Sequence, residues 1–314
     1  MANKTTFTPK LDQISENILY LLSLDARITV TDLSVLLHEK RRIIENRVNK
    51  LYEQHYIKPL LICNAQNCLK ATILLKLSSF DQTVLKALIE LKKFVKVKET
   101  QGEYDLSLLF MEDQQKELNV ILHKITALFH NIILKMDVVY HEAEDTLGYK
   151  SFCHNPDLFK KYIPIFTNKK PQLSEEEKRV VLILKENPLI SYRELMKETF
   201  LGYNKLYALI TGLKEKGILR FSVDPHYGNL GLEFHNMLVR INHAKREEFE
   251  RNMILHPRIH WIKKGSGVWD YILSVTARDI NEFIDITREI RTENKNCILD
   301  ASTLISKIHV ERQY

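Results

Sequence analysis

Seven residues in one short stretch carry the types that grip and read nucleic acid. Lys40, Arg41, Arg42, Arg47 and Lys50 supply cations, and Asn46 and Asn49 supply paired amide donors and acceptors. Clustered cations on one element hold phosphates through counterion release. Arginine and asparagine are also the side chains that match guanine and adenine edges. Glu39 and Glu45 lie among them and oppose an indiscriminate phosphate grip. The bland alternative is a solvated helix face that happens to be basic.

Other chemistry fares worse. Cys63 and Cys68 have four residues between them, but a zinc site needs a second pair in range. Only Cys153-His154 and Cys297 stand elsewhere, and the second copy has no equivalent cysteines, so free thiols are expected. His256 and His260 have helical spacing, but Pro257 between them breaks a helix. HExxH, GxSxG, the Walker loop and GxGxxG are all absent, and the chain holds only 9 glycines. No nucleophile–base pair emerges. The reading is therefore not an enzyme, with no metal and no cofactor.

The elements that position these residues are written twice. Residues 11–54 fall onto residues 173–216, with Leu11, Leu22, Ile28, Leu33, Leu51 and Glu53 meeting identical partners. QGEYDLSLLF at 101–110 then aligns with SGVWDYILSV at 266–275. Each unit opens with three amphipathic segments. Ile14, Ile18, Leu21 and Leu22 form one stripe, Leu33, Leu36 and Leu37 a second behind Thr31 as cap, and Ile44, Val48 and Leu51 a third. Three short helices with a tight turn before the third predict a helix-turn-helix. A strand after the third helix predicts its winged form. Alternating strands and helices follow as βαββαβ, the ferredoxin-like order.

The fold class is thus α+β, with two tandem copies of a winged helix-turn-helix plus a ferredoxin-like βαββαβ domain. The expected boundaries are 1–62 and 63–141 for the first pair of domains, 142–172 for a linker, and 173–225 and 226–314 for the second pair. Tyr162, Ile163, Ile165 and Phe166 give that linker apolar groups able to dock.

This order resembles the Lrp/AsnC family of transcriptional regulators. LDQISENILYLLSLDARITVTDLSVLL is similar to the family's opening signature, Arg47 falls where RVNKL carries its arginine, and Gly102-Glu103-Tyr104-Asp105 is similar to its G-[DE]-Y-D turn. Gly267-Val268-Trp269-Asp270 repeats that turn. The resemblance implies double-stranded DNA as partner and pairing of the sheet domains, within one chain and between chains. It also implies an amino acid effector near Gly102, Asp105, Gly267 and Asp270. The residues alone allow a plainer reading, hairpin turns whose aspartates satisfy their own backbone.

Departures from the family fall mainly in the second copy. There Tyr203, Asn204 and Lys205 occupy the third-helix face, and Leu209 replaces the arginine. That face could read DNA weakly or contact protein. One rival shares the architecture, the siroheme decarboxylases, which Asn236-Met237 and Trp269-Asp270-Tyr271 faintly resemble. Asp270 and Val275-Thr276 depart from that enzyme's pattern. A sensing or interaction module without DNA binding is the other alternative.

Composition bounds the rest. The chain has 314 residues, 45% of them hydrophobic, a net charge of +6 and 4 cysteines. That fits a soluble protein of about two domains in a reducing compartment. No apolar run approaches the ~20 residues of a membrane span. The N-terminus mixes charges into its apolar positions, unlike a signal peptide. A cytoplasmic regulator at bacterial or archaeal promoter DNA is expected.

Overall fold

The computed structural model describes residues 11–63, 69–112, 114–159 and 172–311. Helices α1 (Gln13–Leu24), α2 (Val30–Leu37) and α3 (Arg41–Glu53) come first, then strand β1 (Ile57–Cys63). The Asp12 side chain accepts from the Ser15 amide to cap α1, and Thr29, rather than Thr31, caps α2 through the Asp32 amide. His38 ends α2 in the left-handed conformation, at φ 53°, which turns the chain sharply into α3.

A β-α-β-β-α-β run follows. It comprises β2 (Leu69–Leu77), α4 (Gln82–Glu90), β3 (Phe94–Gly102), β4 (Leu106–Glu112), α5 (Gln115–Phe129) and β5 (Ile133–Thr146). A single 3-10 turn at Lys150–Phe152 and the short α6 (Pro156–Phe159) lead away from it. The same order then recurs. Helices α7 (Glu175–Glu186), α8 (Tyr192–Thr199) and α9 (Tyr203–Glu215) precede β6 (Leu219–Pro225) and a short α10 (Tyr227–Leu230). Then come β7 (Glu233–Ile241), α11 (Arg246–Leu255), β8 (Ile259–Gly267), β9 (Tyr271–Ala277), α12 (Ile280–Glu293) and β10 (Ile298–Glu311). The class is mixed α+β.

Two departures from expectation share one cause, pairing between the halves. Among the described residues neither three-helix unit has a two-stranded wing of its own. Instead β1 pairs antiparallel with β6, Leu60 opposite Ser222. The two units therefore share one core, in which Ile18, Leu33 and Ile44 join Val180, Leu195 and Leu206. Arg27 clamps it, donating to the Pro188 and Ile190 carbonyls at 2.9 and 3.0 Å while its guanidinium lies over the Phe221 ring.

The second departure concerns the expected linker. Strand β5 runs past 142 to Thr146, because β8 of the later half pairs with it from Val139 to Thr146. Beyond it Tyr149 and Phe152 are buried, and the Ser23 hydroxyl accepts from the Tyr149 amide at 2.9 Å. Tyr162, Ile163, Ile165 and Phe166 lie outside the described residues.

The eight long strands close into a barrel of order β10-β3-β4-β2-β5-β8-β9-β7. Each half supplies a four-stranded sheet, and two antiparallel seams join them, β5 to β8 and β10 to β3. Closure leaves no edge strand open to further pairing. Helices α4 and α5 cover one sheet and α11 and α12 the other, over Ile73, Leu108 and Ile121 and over Met237, Leu273 and Phe283. Among the described residues no helix is long and apolar enough to cross a membrane.

Candidate nucleic-acid interface

Helix α3 buries Ile44 and Leu51 against the shared core and turns the opposite face outward. On that face Lys40, Arg41, Arg42, Asn46, Asn49 and Lys50 are exposed. Among the described residues none of these six side chains has a hydrogen-bond or ion-pair partner. Glu45 is also exposed, one turn from Arg41.

The N-terminus of α3 is built unlike those of α1 and α2. Lys40 occupies the cap position and offers no side-chain acceptor, and the first turn holds no acid. Free backbone N–H groups and the helix dipole already make such an end positive. Placing Lys40, Arg41 and Arg42 there is unfavourable for an isolated helix, and a phosphate docked at that end reverses the sign.

Arg47 behaves differently. It is half-buried and forms a bidentate ion pair with Asp12, at 2.8 Å for the closest contact, which ties α3 to the cap of α1. In this structure Arg47, expected at the DNA contact, is engaged by Asp12. Burial alone would raise the Asp12 carboxyl, but hydrogen bonds from Arg47 and from the Ser15 backbone overcome it and lower the group from 3.8 to about 2. A depressed carboxylate adds stability that is present above the unfolded value and is lost as pH falls through the folded one. The stability difference between wild type and Arg47→Met is thus expected to stay constant above about pH 4 and to shrink towards pH 2. Urea unfolding across that range checks it; a difference undiminished at pH 2 assigns Arg47 to packing alone.

The second third-helix, α9, presents another surface. Tyr203 and Tyr207 are 51% and 53% exposed, and Phe200 just before them is 85% exposed. Tyr192 joins the group, with ring centroids 5.3 Å from Tyr203 and 6.3 Å from Tyr207. Lys205 is held by Glu176 of α7 at 2.6 Å. Asn204 is exposed. This face is aromatic with its lysine already neutralised, not basic. Tyr192 and Phe200 escaped the sequence reading, although Tyr203 and Tyr207 at i, i+4 marked the stripe they join.

At the two hairpin turns the aspartates bond to a neighbouring strand rather than to the backbone of their own turn. Asp105 accepts from the Leu77 amide at 2.8 Å and from Lys76 at 2.9 Å. Asp270 accepts from the Ile241 amide at 2.8 Å. Gly102 and Gly267 sit in the seams, opposite Leu304 and Val139. His260 is packed against Tyr149, and its ring nitrogens meet the Gly148 carbonyl and the Thr276 hydroxyl. Cys63, Cys153 and Cys297 are free thiols, and Cys68 lies outside the described residues.

No family model matches the chain. An uncharacterized helix-turn-helix-type transcriptional regulator of Pyrococcus abyssi is 27% identical over 117 residues, covering 36% of this chain and 80% of that protein. The helix-turn-helix-type regulator FL11 of Pyrococcus horikoshii is 26% identical over 125 residues, covering 38% and 82%. The chain is a relative of helix-turn-helix transcriptional regulators. The solved structure of an AsnC family transcriptional regulator from Agrobacterium tumefaciens aligns with 45% of this chain and 93% of its own, at a TM-score of 0.37 and 18% identity. Over the whole length the fold is that of the siroheme decarboxylase NirDL. That structure covers 96% of this chain and 94% of its own at a TM-score of 0.59, with 16% identity.

Proposed function

We propose that this chain is a sequence-reading DNA-binding transcriptional regulator of the cytoplasm, built as two tandem copies of a helix-turn-helix unit and a βαββαβ domain. The domain limits are those read from the sequence, with the first βαββαβ domain extended to Thr146. The observation that carries the proposal is the uncapped, cationic N-terminus of α3, whose exposed side chains hold no partner within the described residues. The regulator relatives support it.

In this reading Lys40, Arg41, Arg42 and Lys50 take phosphates, and Asn46 and Asn49 with the arginines reach base edges. Tyr203, Asn204 and Lys205 of α9 add a weaker contact, so the two halves of one chain meet DNA unequally. A second chain then supplies the second basic helix of a palindromic site. The amino acid effector implied by the resemblance would sit near Gly102, Asp105, Gly267 and Asp270, where each aspartate already accepts one backbone amide and keeps further lone pairs.

The whole-length likeness to a siroheme decarboxylase favours one second reading, an enzyme of that class. Two titrations separate the readings. Hydroxyl-radical footprinting on promoter fragments is expected to show one strongly protected half-site per chain. Absorbance titration with an iron-uroporphyrin is expected to leave the Soret band unshifted. A saturable shift without any footprint overturns the regulator reading.

A further inference from the structure

The barrel interior has two layers. Near the hairpin turns Leu74, Tyr104, Leu238, Trp269 and Leu304 fill it with apolar and aromatic groups. Towards the end where β2 and β7 begin, the inward positions turn polar. Strand alternation identifies them: Ala71, Ile73, Val97 and Ile262 face the helix-covered cores, so Thr72, Lys98 and Lys263 point inward.

Lys70, Lys96, Lys98, Lys263, Glu144 and Glu311 meet there, and the Lys58–Asp224 pair of β1 and β6 lies close to Glu311. Lys70 pairs with Glu144 and Lys96 with Glu311. Lys98 and Lys263 have no carboxylate partner in hydrogen-bond range among the described residues. Lys98 is only 7% exposed. Its Nζ lies 4.7 Å from the Phe234 ring centre and, with the Asn236 amide oriented to satisfy its neighbours, donates to the Asn236 oxygen at 3.1 Å. Burial, then Lys96 and Lys263, push the Lys98 ammonium well down. Burial also lowers Lys263, to about 8, against the pull of Glu144. His141 is buried too. Its Nε2 meets the Thr72 hydroxyl at 2.8 Å, and its Nδ1, without a hydrogen-bond partner, lies 3.8 Å from the Glu144 carboxylate.

Lys98 and Lys263 occupy corresponding positions of the two halves, under the alignment that matches Gly102 with Gly267. Lys98 is buried and Lys263 half-buried, and each feels a carboxylate, Glu311 and Glu144 in turn, only from beyond ion-pair range. Holding two such amines at one end of the barrel is costly, and the cost falls when an anion enters between them. We propose that this polar end of the barrel binds a small polyanion carrying carboxylate or phosphate groups. Lys98 and Lys263 grip it from opposite halves, with Thr72, Asn236 and His141 as uncharged partners. The site is independent of the DNA-binding proposal.

The test is thermal unfolding of the full chain in citrate or pyrophosphate, against sodium chloride at equal ionic strength. A saturable rise in Tm with citrate alone marks a carboxylate ligand, and one with pyrophosphate alone a phosphate ligand. In Lys98→Met and in Lys263→Met the midpoint of that rise moves to at least about tenfold higher anion concentration, while each variant without anion is no less stable than wild type. A check free of variants is amine acylation mapped by mass spectrometry, where the effective anion protects Lys263. Neither probe raising Tm beyond the chloride control, or an equal rise in both variants, overturns the proposal.

Discussion

Arg41→Ala combined with Arg42→Ala is expected to weaken binding to every DNA sequence and to flatten its salt dependence. Each lost phosphate contact removes about one unit from the slope of log affinity against log salt. The double variant should therefore lose about two units, measured by fluorescence anisotropy from low to physiological salt. If one of the arginines instead reads a guanine, the slope falls by about one unit, and about 1–3 kcal/mol of discrimination disappears at that base pair. The substitutions should leave stability nearly untouched, because both side chains are exposed and neither has a partner within the described residues. An unchanged slope removes the first turn of α3 from the interface.

Gly267→Ala and Gly102→Ala are expected to be the most damaging small substitutions in the barrel. Both glycines hold φ near +135°, at 135° and 136°, where an L side chain is strained. A Cβ at Gly267 would stand 2.4 Å from the Val138 carbonyl oxygen, and one at Gly102 would stand 2.3 Å from that of Thr303. Those oxygens belong to β5 and β10, the strands that close the two seams. Relief requires the seam to part, so a loss of at least about 3 kcal/mol is expected at either site. Gly212 provides the contrast. It lies inside α9 with nothing within 4 Å of its Cβ position, and Gly212→Ala should gain about 0.5–1 kcal/mol. Chemical denaturation of the three variants checks this. A seam variant within about 0.5 kcal/mol of wild type would show that the seams flex freely.

The order of helices and strands was legible because apolar spacing records it locally. Ile18, Leu33, Ile44 and Leu51 lie on the faces that the core takes, and each has its counterpart in the later half. Partner choice left no such trace. The alternation in β1 is satisfied equally by a wing hairpin and by β6, and only the assembled structure distinguishes them. Strand β5 was cut short for a related reason. Its end, HEAEDT, is rich in charge and reads as solvated chain, yet Glu144 turns inward to Lys70 while Ala143 aligns with Lys264 across the seam.

The interface was legible as a cluster of residue types, but not in how each residue is used. Arg47 has the charge of a DNA contact, and its ion pair with Asp12 at the cap of α1 had no signal in the sequence. Lys98 and Lys263 sit on strands whose alternate residues are apolar. In sequence they look like the wet face of an ordinary antiparallel sheet. Closing two sheets into one barrel is what turns that face inward.

The central claim is that α3 lends this chain its grip on DNA. Gel shift of the purified protein against mixed genomic fragments, at low and at physiological salt, tests it most directly. The account predicts steeply salt-dependent binding at low salt, with a small subset of fragments still retained at the higher salt. Absence of binding even at low salt would contradict it.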